Sequence, residues 1–78
     1  MTPEQYNGLL PHKLIIDAMY VCLDKGTDLP SAPSFLINTM IDINDESSGL
    51  RPTDRSCGAC AMEAVKNTLR SYKAYEDK

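Results

Sequence analysis

The chain has no tryptophan, one phenylalanine, one histidine and only three cysteines in 78 residues. It lacks a glycine-rich phosphate loop, a Ser-His-Asp set and a paired-carboxylate cleft, so no known catalytic constellation can be assembled from it. It has no excess of positive charge. The formal net charge of −3 gives no electrostatic reason to expect nucleic acid or an anionic membrane as the main partner. No apolar run approaches the roughly 18 residues of a membrane span, and Met1-Thr2-Pro3-Glu4-Gln5-Tyr6 lacks the charged-then-apolar layout of a signal peptide. The expectation is a soluble chain made in the cytoplasm, with no membrane partner. An odd cysteine count without an export signal favours reduced thiols over a disulfide framework.

What is present reads as one small helical domain over residues 1–78. At this size a single apolar core barely offsets a chain entropy of roughly 1.5 kcal/mol per ordered residue, so a metal, a disulfide or a partner surface is expected to help. Thr2 as N-cap followed by Pro3 starts a short first helix that ends near Gly8 or Leu10. Pro11 opens a stronger helix in which Leu14, Ile15, Ala18, Met19, Cys22 and Leu23 recur at helical spacing, with Lys25 in its last turn and Gly26 placed to end it. Residues 27–33 form a loop with two prolines.

A third helix is expected over Ser34 to Asn44, its apolar face built from Phe35, Leu36, Thr39, Met40 and Ile43. Asp45 to Ser56 reads as a polar loop, with Asp54 or Ser56 capping the last helix. Along that helix Cys57, Cys60, Ala61, Ala64, Val65, Thr68, Leu69 and Tyr72 share one face. The fold class is therefore all-α, a small bundle of three main helices plus a short N-terminal one.

Cys57-Gly58-Ala59-Cys60 is the one two-thiol spacing in the chain. It resembles the dithiol of thioredoxin-like proteins over four residues, at a helix start where the dipole lowers a thiol pKa. The buried strand that should precede such a motif is missing, and no proline follows Cys60 to supply that family's substrate-facing loop. Ser56 to Ala61 resembles the metal-binding turn of copper-chaperone and heavy-metal-associated domains, but the 18 residues after Cys60 leave room for one helix and not for the ferredoxin-like fold.

A structural zinc site needs four ligands. His12 and Cys22, ten residues apart on one helix, lie about 15 Å apart and cannot share a metal. The zinc alternative therefore rests on Cys57, Cys60 and Cys22 with a carboxylate or a residue from another chain. The plainer reading makes all three cysteines small buried apolar groups continuing the helix stripes. With no metal site required, no cofactor is expected.

His12 is read as a surface residue of a helix start. The acidic run Asp42, Asn44, Asp45, Glu46 fails as a calcium loop, because Ser47 and Thr53 stand where glycine and glutamate are needed. Lys66, Arg70 and Lys73 form a basic stripe of the kind usually left to solvent in an acidic chain. The tyrosines suit half-dry, half-wet contacts. Tyr20, Tyr72, Tyr75 and Arg70 are accordingly the expected partner-binding residues, with ordinary packing against the second helix as the alternative for Tyr72 and Tyr75.

A domain this small, with no catalytic set and no room for a large pocket, is expected to be a non-enzymatic protein–protein interaction or assembly module, binding a protein partner or copies of itself. In size, lack of enzyme motifs and a terminal helix running from Cys57 through Tyr75, the chain resembles small orphan-like bacteriophage proteins. That resemblance implies a virion component or a host-directed inhibitor, located in the host cytoplasm or the virion.

Overall fold

Thr2 begins the first helix through a reciprocal cap. Its hydroxyl accepts from the Gln5 N–H at 3.1 Å, while the Gln5 side-chain oxygen accepts from the Thr2 N–H at 3.0 Å. Two otherwise orphaned donors are satisfied, and Pro3 removes a third. The computed structural model describes residues 1–49 and 51–77. Its elements are α1 (Pro3–Leu9), a 3-10 turn (Leu10–His12), α2 (Lys13–Lys25), α3 (Ser34–Ser48) and α4 (Gly58–Glu76). Among the described residues there is no strand. The architecture is the expected all-α one of three main helices and a short leading piece.

α2 starts two residues later than its sequence suggests, because Pro11 is taken up in the 3-10 turn. It ends where expected. Gly26, at φ 73°, donates to the Leu23 carbonyl at 3.1 Å, and Thr27 N–H reaches back to the Cys22 carbonyl at 3.0 Å, so the last carbonyls are closed off in a Schellman arrangement. Its buried face differs from expectation. Ile16 and Met19 are enclosed, with Tyr20 and Leu23 half-buried beside them, while Leu14 and Ala18 face solvent. The helix is turned by about one residue's step. α2 is apolar nearly all round, so period alone admits several inward faces, and packing against α4 selects one.

α3 runs a turn past Asn44 to Ser48, so Asp45 to Ser48 are helical rather than loop. Gly49, at φ 66°, is the stop, with its N–H bonded to the Asp45 carbonyl at 3.3 Å. Leu36, Met40 and Ile43 are buried as expected. Phe35 is not: it is 55% exposed and lies edge-on to His12 with ring centroids 5.0 Å apart, and Ile41 fills the core instead.

α4 buries Ala64, Val65, Thr68, Leu69 and Tyr72, the stripe read from its sequence. It is the central element, packed chiefly on α3 and on its other side against α2. α1 closes one end, where Tyr6 stacks on Tyr72 with centroids 5.0 Å apart. Tyr72 is 1% exposed, which removes it from the expected partner-binding set. A bulky apolar ring on the helix's inward stripe gains more from the core than from water.

Candidate functional site

The outer face of α2 is the least satisfied apolar surface among the described residues. Leu14 is 87% exposed and Val21 49% exposed, one on each side of exposed Ala18. These three positions, at i, i+4 and i+7, lie on the side opposite Ile16 and Leu23, away from α4. Leu10, in the preceding 3-10 turn, adds to the same edge at 38% exposure. Sequence reading put Leu14 and Ala18 in the core. The signal that could have found this face is the surplus of apolar residues on α2, more than one buried stripe can use.

One end of the bundle carries a charged network that fixes α2 to α4. Lys13 Nζ donates to Glu76 Oε2 at 3.0 Å and pairs with Asp17 Oδ2 at 3.3 Å, and Lys73 reaches Glu76 Oε1 at 3.3 Å. The Glu76 hydrogen bond, then that to Asp17, holds the Lys13 ammonium well above the usual lysine range. In turn the Lys13 bond holds the Glu76 carboxyl below its ordinary value. The side chains are 22% to 45% exposed, so solvent screens the network and it orients the helix ends more than it stabilises them. Beneath it Tyr72 Oη and Asp17 Oδ1 are buried without a hydrogen-bond partner among the described residues.

The remaining expected partner-binding residues do not form one patch. Tyr20 is half-buried under Lys73, whose ammonium lies 5.7 Å from the ring centroid. Tyr20 and Arg70 do share a shallow cleft, of about 280 Å³, with Leu23 and Asp24. Arg70 is exposed, accepting no burial cost while it bonds Asn67 at 3.1 Å and approaches Glu63 at 3.9 Å. Tyr75 belongs to the other aromatic group, its ring 4.7 Å from that of Tyr6.

The turn before α4 is built by local polar chemistry. Asp45 Oδ1 and Oδ2 accept from the Thr53 hydroxyl and N–H at 2.5 and 3.0 Å, which ties the connection to α3 and holds the Asp45 carboxyl below the usual range. Arg55 forks onto Asn38, at 2.8 Å, and Asp42. Asp54 Oδ1 then accepts from Ser56 N–H and hydroxyl at 3.0 and 2.6 Å, and Cys57 N–H bonds the Asp54 carbonyl at 3.1 Å. With Asp54 and Ser56 engaged with each other, neither caps α4. Cys57 does, its sulfur accepting from Cys60 N–H at 3.3 Å.

The cysteines are therefore not the buried apolar groups the stripe suggested. Cys22 and Cys57 are half-buried and Cys60 is exposed. Among the described residues no three His, Cys, Asp or Glu side chains come together as a metal-ligand group, so Cys22 does not join Cys57 and Cys60. Sequence reading also missed the cleft beside Cys60, because Arg51 to Asp54 read only as loop. No helix is long and apolar enough to cross a membrane, among the described residues. No family model matches this chain, nor does any curated protein or solved structure.

Proposed function

We propose that this protein is a small non-enzymatic interaction or assembly module that binds through the outer face of α2. The observation that supports the reading is Leu14, 87% exposed on a helix face that no other described element covers. A single exposed leucine is ordinary. Leu14, Ala18 and Val21 together follow the 4-3 spacing of a two-helix seam, with the smallest side chain in the middle, where a partner backbone can approach.

The occupant we favour is a second copy of the chain. In an antiparallel pair centred between Asp17 and Ala18, Leu14 of one copy meets Val21 of the other, so the stripe is complementary to itself, as a twofold contact requires. Burial there adds roughly 25 cal/mol per Å² of apolar surface removed from water, which a domain of this size needs. On the resemblance to small bacteriophage proteins, such a unit serves either as a repeated virion part or as a dimeric inhibitor of a host protein in the host cytoplasm.

Sedimentation velocity over a concentration series tests the reading, comparing the wild type with Leu14→Glu. The expected result is a concentration-dependent dimer or closed oligomer that Leu14→Glu reduces to monomer without loss of helicity. A wild type that stays monomeric up to its solubility limit overturns it.

A further inference from the structure

The α2 face uses none of the sulfur chemistry at the start of α4. There Cys57 and Cys60 stand one helical turn apart and within reach of each other. The Cys57 sulfur accepts the Cys60 N–H at 3.3 Å. Side chains three apart on a helix have Cβ atoms roughly 5–6 Å apart, and a disulfide needs about 3.5–4.5 Å. Cys57 can close that difference. It is the N-cap, with extended dihedrals of φ −92° and ψ 108°, tied to α4 by its carbonyl, which accepts from Ala61 N–H at 3.0 Å, and by its sulfur.

A cleft of about 490 Å³ opens beside Cys60, one helical turn from Cys57, and is lined by Arg51, Pro52, Thr53, Asp54 and Cys60. Its size suits a small molecule. Arg51 is the cation among its described lining residues, and the Asp54 carboxylate in the same lining accepts from Ser56. The cleft therefore offers the Arg51 guanidinium to a carboxylate and, from Cys60, a thiol.

We propose that Cys57 and Cys60 form a thiol–disulfide exchange couple, Cys57 the attacking and Cys60 the resolving sulfur, whose co-reactant is the disulfide of a small carboxylate-bearing thiol seated against Arg51. The division of roles follows from the cap geometry, in which the Cys60 N–H at the start of α4 donates to the Cys57 sulfur at 3.3 Å and so favours its thiolate. Donation by the Cys60 thiol, and then by its N–H, draws the Cys57 thiol below its ordinary range, against the opposing effects of desolvation and the Asp54 charge. Acting as donor pushes Cys60 up. Of the two sulfurs, Cys57 is thus the one that gives up its proton more readily.

In the first step the Cys57 thiolate attacks one sulfur of the co-reactant, its S–S bond breaks, and one small thiolate leaves and takes up a proton. In the second, Cys60 loses its proton and its sulfur attacks Cys57 Sγ. The mixed disulfide breaks, and the second small thiol leaves with the proton that Cys60 released. Two electrons pass from the protein to the co-reactant, leaving a Cys57–Cys60 disulfide and two small thiols.

Glutathione disulfide is the probe. The reduced full-length protein, as Cys22→Ser, is exposed to it near neutral pH, quenched by alkylation and mapped by mass spectrometry. The expected product is the Cys57–Cys60 disulfide. Cys60→Ser should instead accumulate glutathione on Cys57, and Cys57→Ser should react at Cys60 at least tenfold more slowly. Serine at 57 remains a strong N-cap, and position 60 is exposed, so both variants keep the fold, which circular dichroism verifies.

Arg51→Ala should slow the reaction with glutathione disulfide several-fold more than that with the disulfide of uncharged 2-mercaptoethanol. In the wild type, half-buried Cys22 serves as internal comparator and should react at least tenfold more slowly than Cys57. Faster modification of Cys60 than of Cys57, a stable mixed disulfide in the presence of both sulfurs, or equal rates at Cys22 and Cys57 would each overturn the proposal. Equal slowing of both co-reactants by Arg51→Ala would overturn the assignment of the cleft. None of these readouts depends on oligomeric state, so the couple and the α2 interface stand or fall separately.

Discussion

Thr68 Oγ1 on α4 donates a hydrogen bond of 2.6 Å to the Met40 carbonyl on α3, with both side chains buried. It links the two helices that form the main packing pair, and it satisfies a buried polar side chain of the core. A helix carbonyl keeps a second lone pair after its ladder bond, so Met40 can accept without a break in α3. Thr68→Val, which keeps the shape and removes the hydroxyl, should lower stability by about 0.5–1.5 kcal/mol. Thr68→Ala also deletes a buried methyl and should cost about 1 kcal/mol more. Urea denaturation measures both, and a valine variant as stable as the wild type would show that the bond contributes nothing net.

Tyr72 presents the opposite case, a buried hydroxyl without a partner. Its ring stacks on Tyr6, while its Oη bears desolvation without compensation. Tyr72→Phe should therefore leave stability unchanged or raise it by up to about 1 kcal/mol, whereas Tyr72→Ala should cost about 3–5 kcal/mol. The alkaline limb gives a second readout. Burial pushes the Tyr72 phenol up to about 12 from 10.0, so the protonated form is favoured in the fold. That contribution is complete below pH 10 and is lost as pH rises toward 12. Thermal melts from pH 9 to 11.5 should fall more steeply for the wild type than for Tyr72→Phe.

Asp45 governs the acid limb. Its carboxylate, held low first by the Thr53 hydroxyl and then by the Thr53 N–H, prefers the charged form in the folded chain. A depressed folded pKa gives stability that is present above the ordinary value of 3.8 and is lost as pH falls below it. Glu76 contributes in the same sense below 4.5, through Lys13. Asp45→Asn should give a circular-dichroism acid transition that is shallower than that of the wild type below pH 3.8. It should also speed exchange of the Thr53 amide at neutral pH. Unchanged Thr53 exchange would show that the connection between α3 and α4 is held by Arg55 instead.

One substitution at two glycines should give opposite signs. Gly26 sits at φ 73° with open space around an added Cβ, so Gly26→Ala should cost about 1 kcal/mol from the left-handed backbone alone. Gly58, the first residue of α4, has the same free space without a positive φ. Gly58→Ala should gain about 0.5–1 kcal/mol by restricting the unfolded chain. Differential scanning calorimetry distinguishes the two directions.

Much of the fold was legible because local rules dominate it. The Thr2-Pro3-Glu4-Gln5 start, the Gly26 stop and the Ala64, Val65, Thr68, Leu69 and Tyr72 stripe each follow from hydrogen-bond satisfaction or helical period within a few residues. The helix α3 outran its expected end because polar Asp45 to Ser48 reads as loop when Thr53 is not known to lie beside Asp45. The candidate sites were less legible. The spacing of Cys57 and Cys60 was plain, but their exposure, and Cys57 in the cap position expected of Asp54 or Ser56, depended on which local partner each polar side chain found first.

The sequence by itself determined the main helices, the Thr2 cap and the Gly26 stop, since these depend on residue type and on spacings of four or fewer. Only the tertiary structure decided which side of each helix turned inward. α2 carries apolar residues nearly all round, and periodicity cannot choose between Leu14 and Ile16. The choice fell to α4, because the face that packs against it buries Ile16 and Met19 together with the α4 stripe, and the same choice left Leu14 in water.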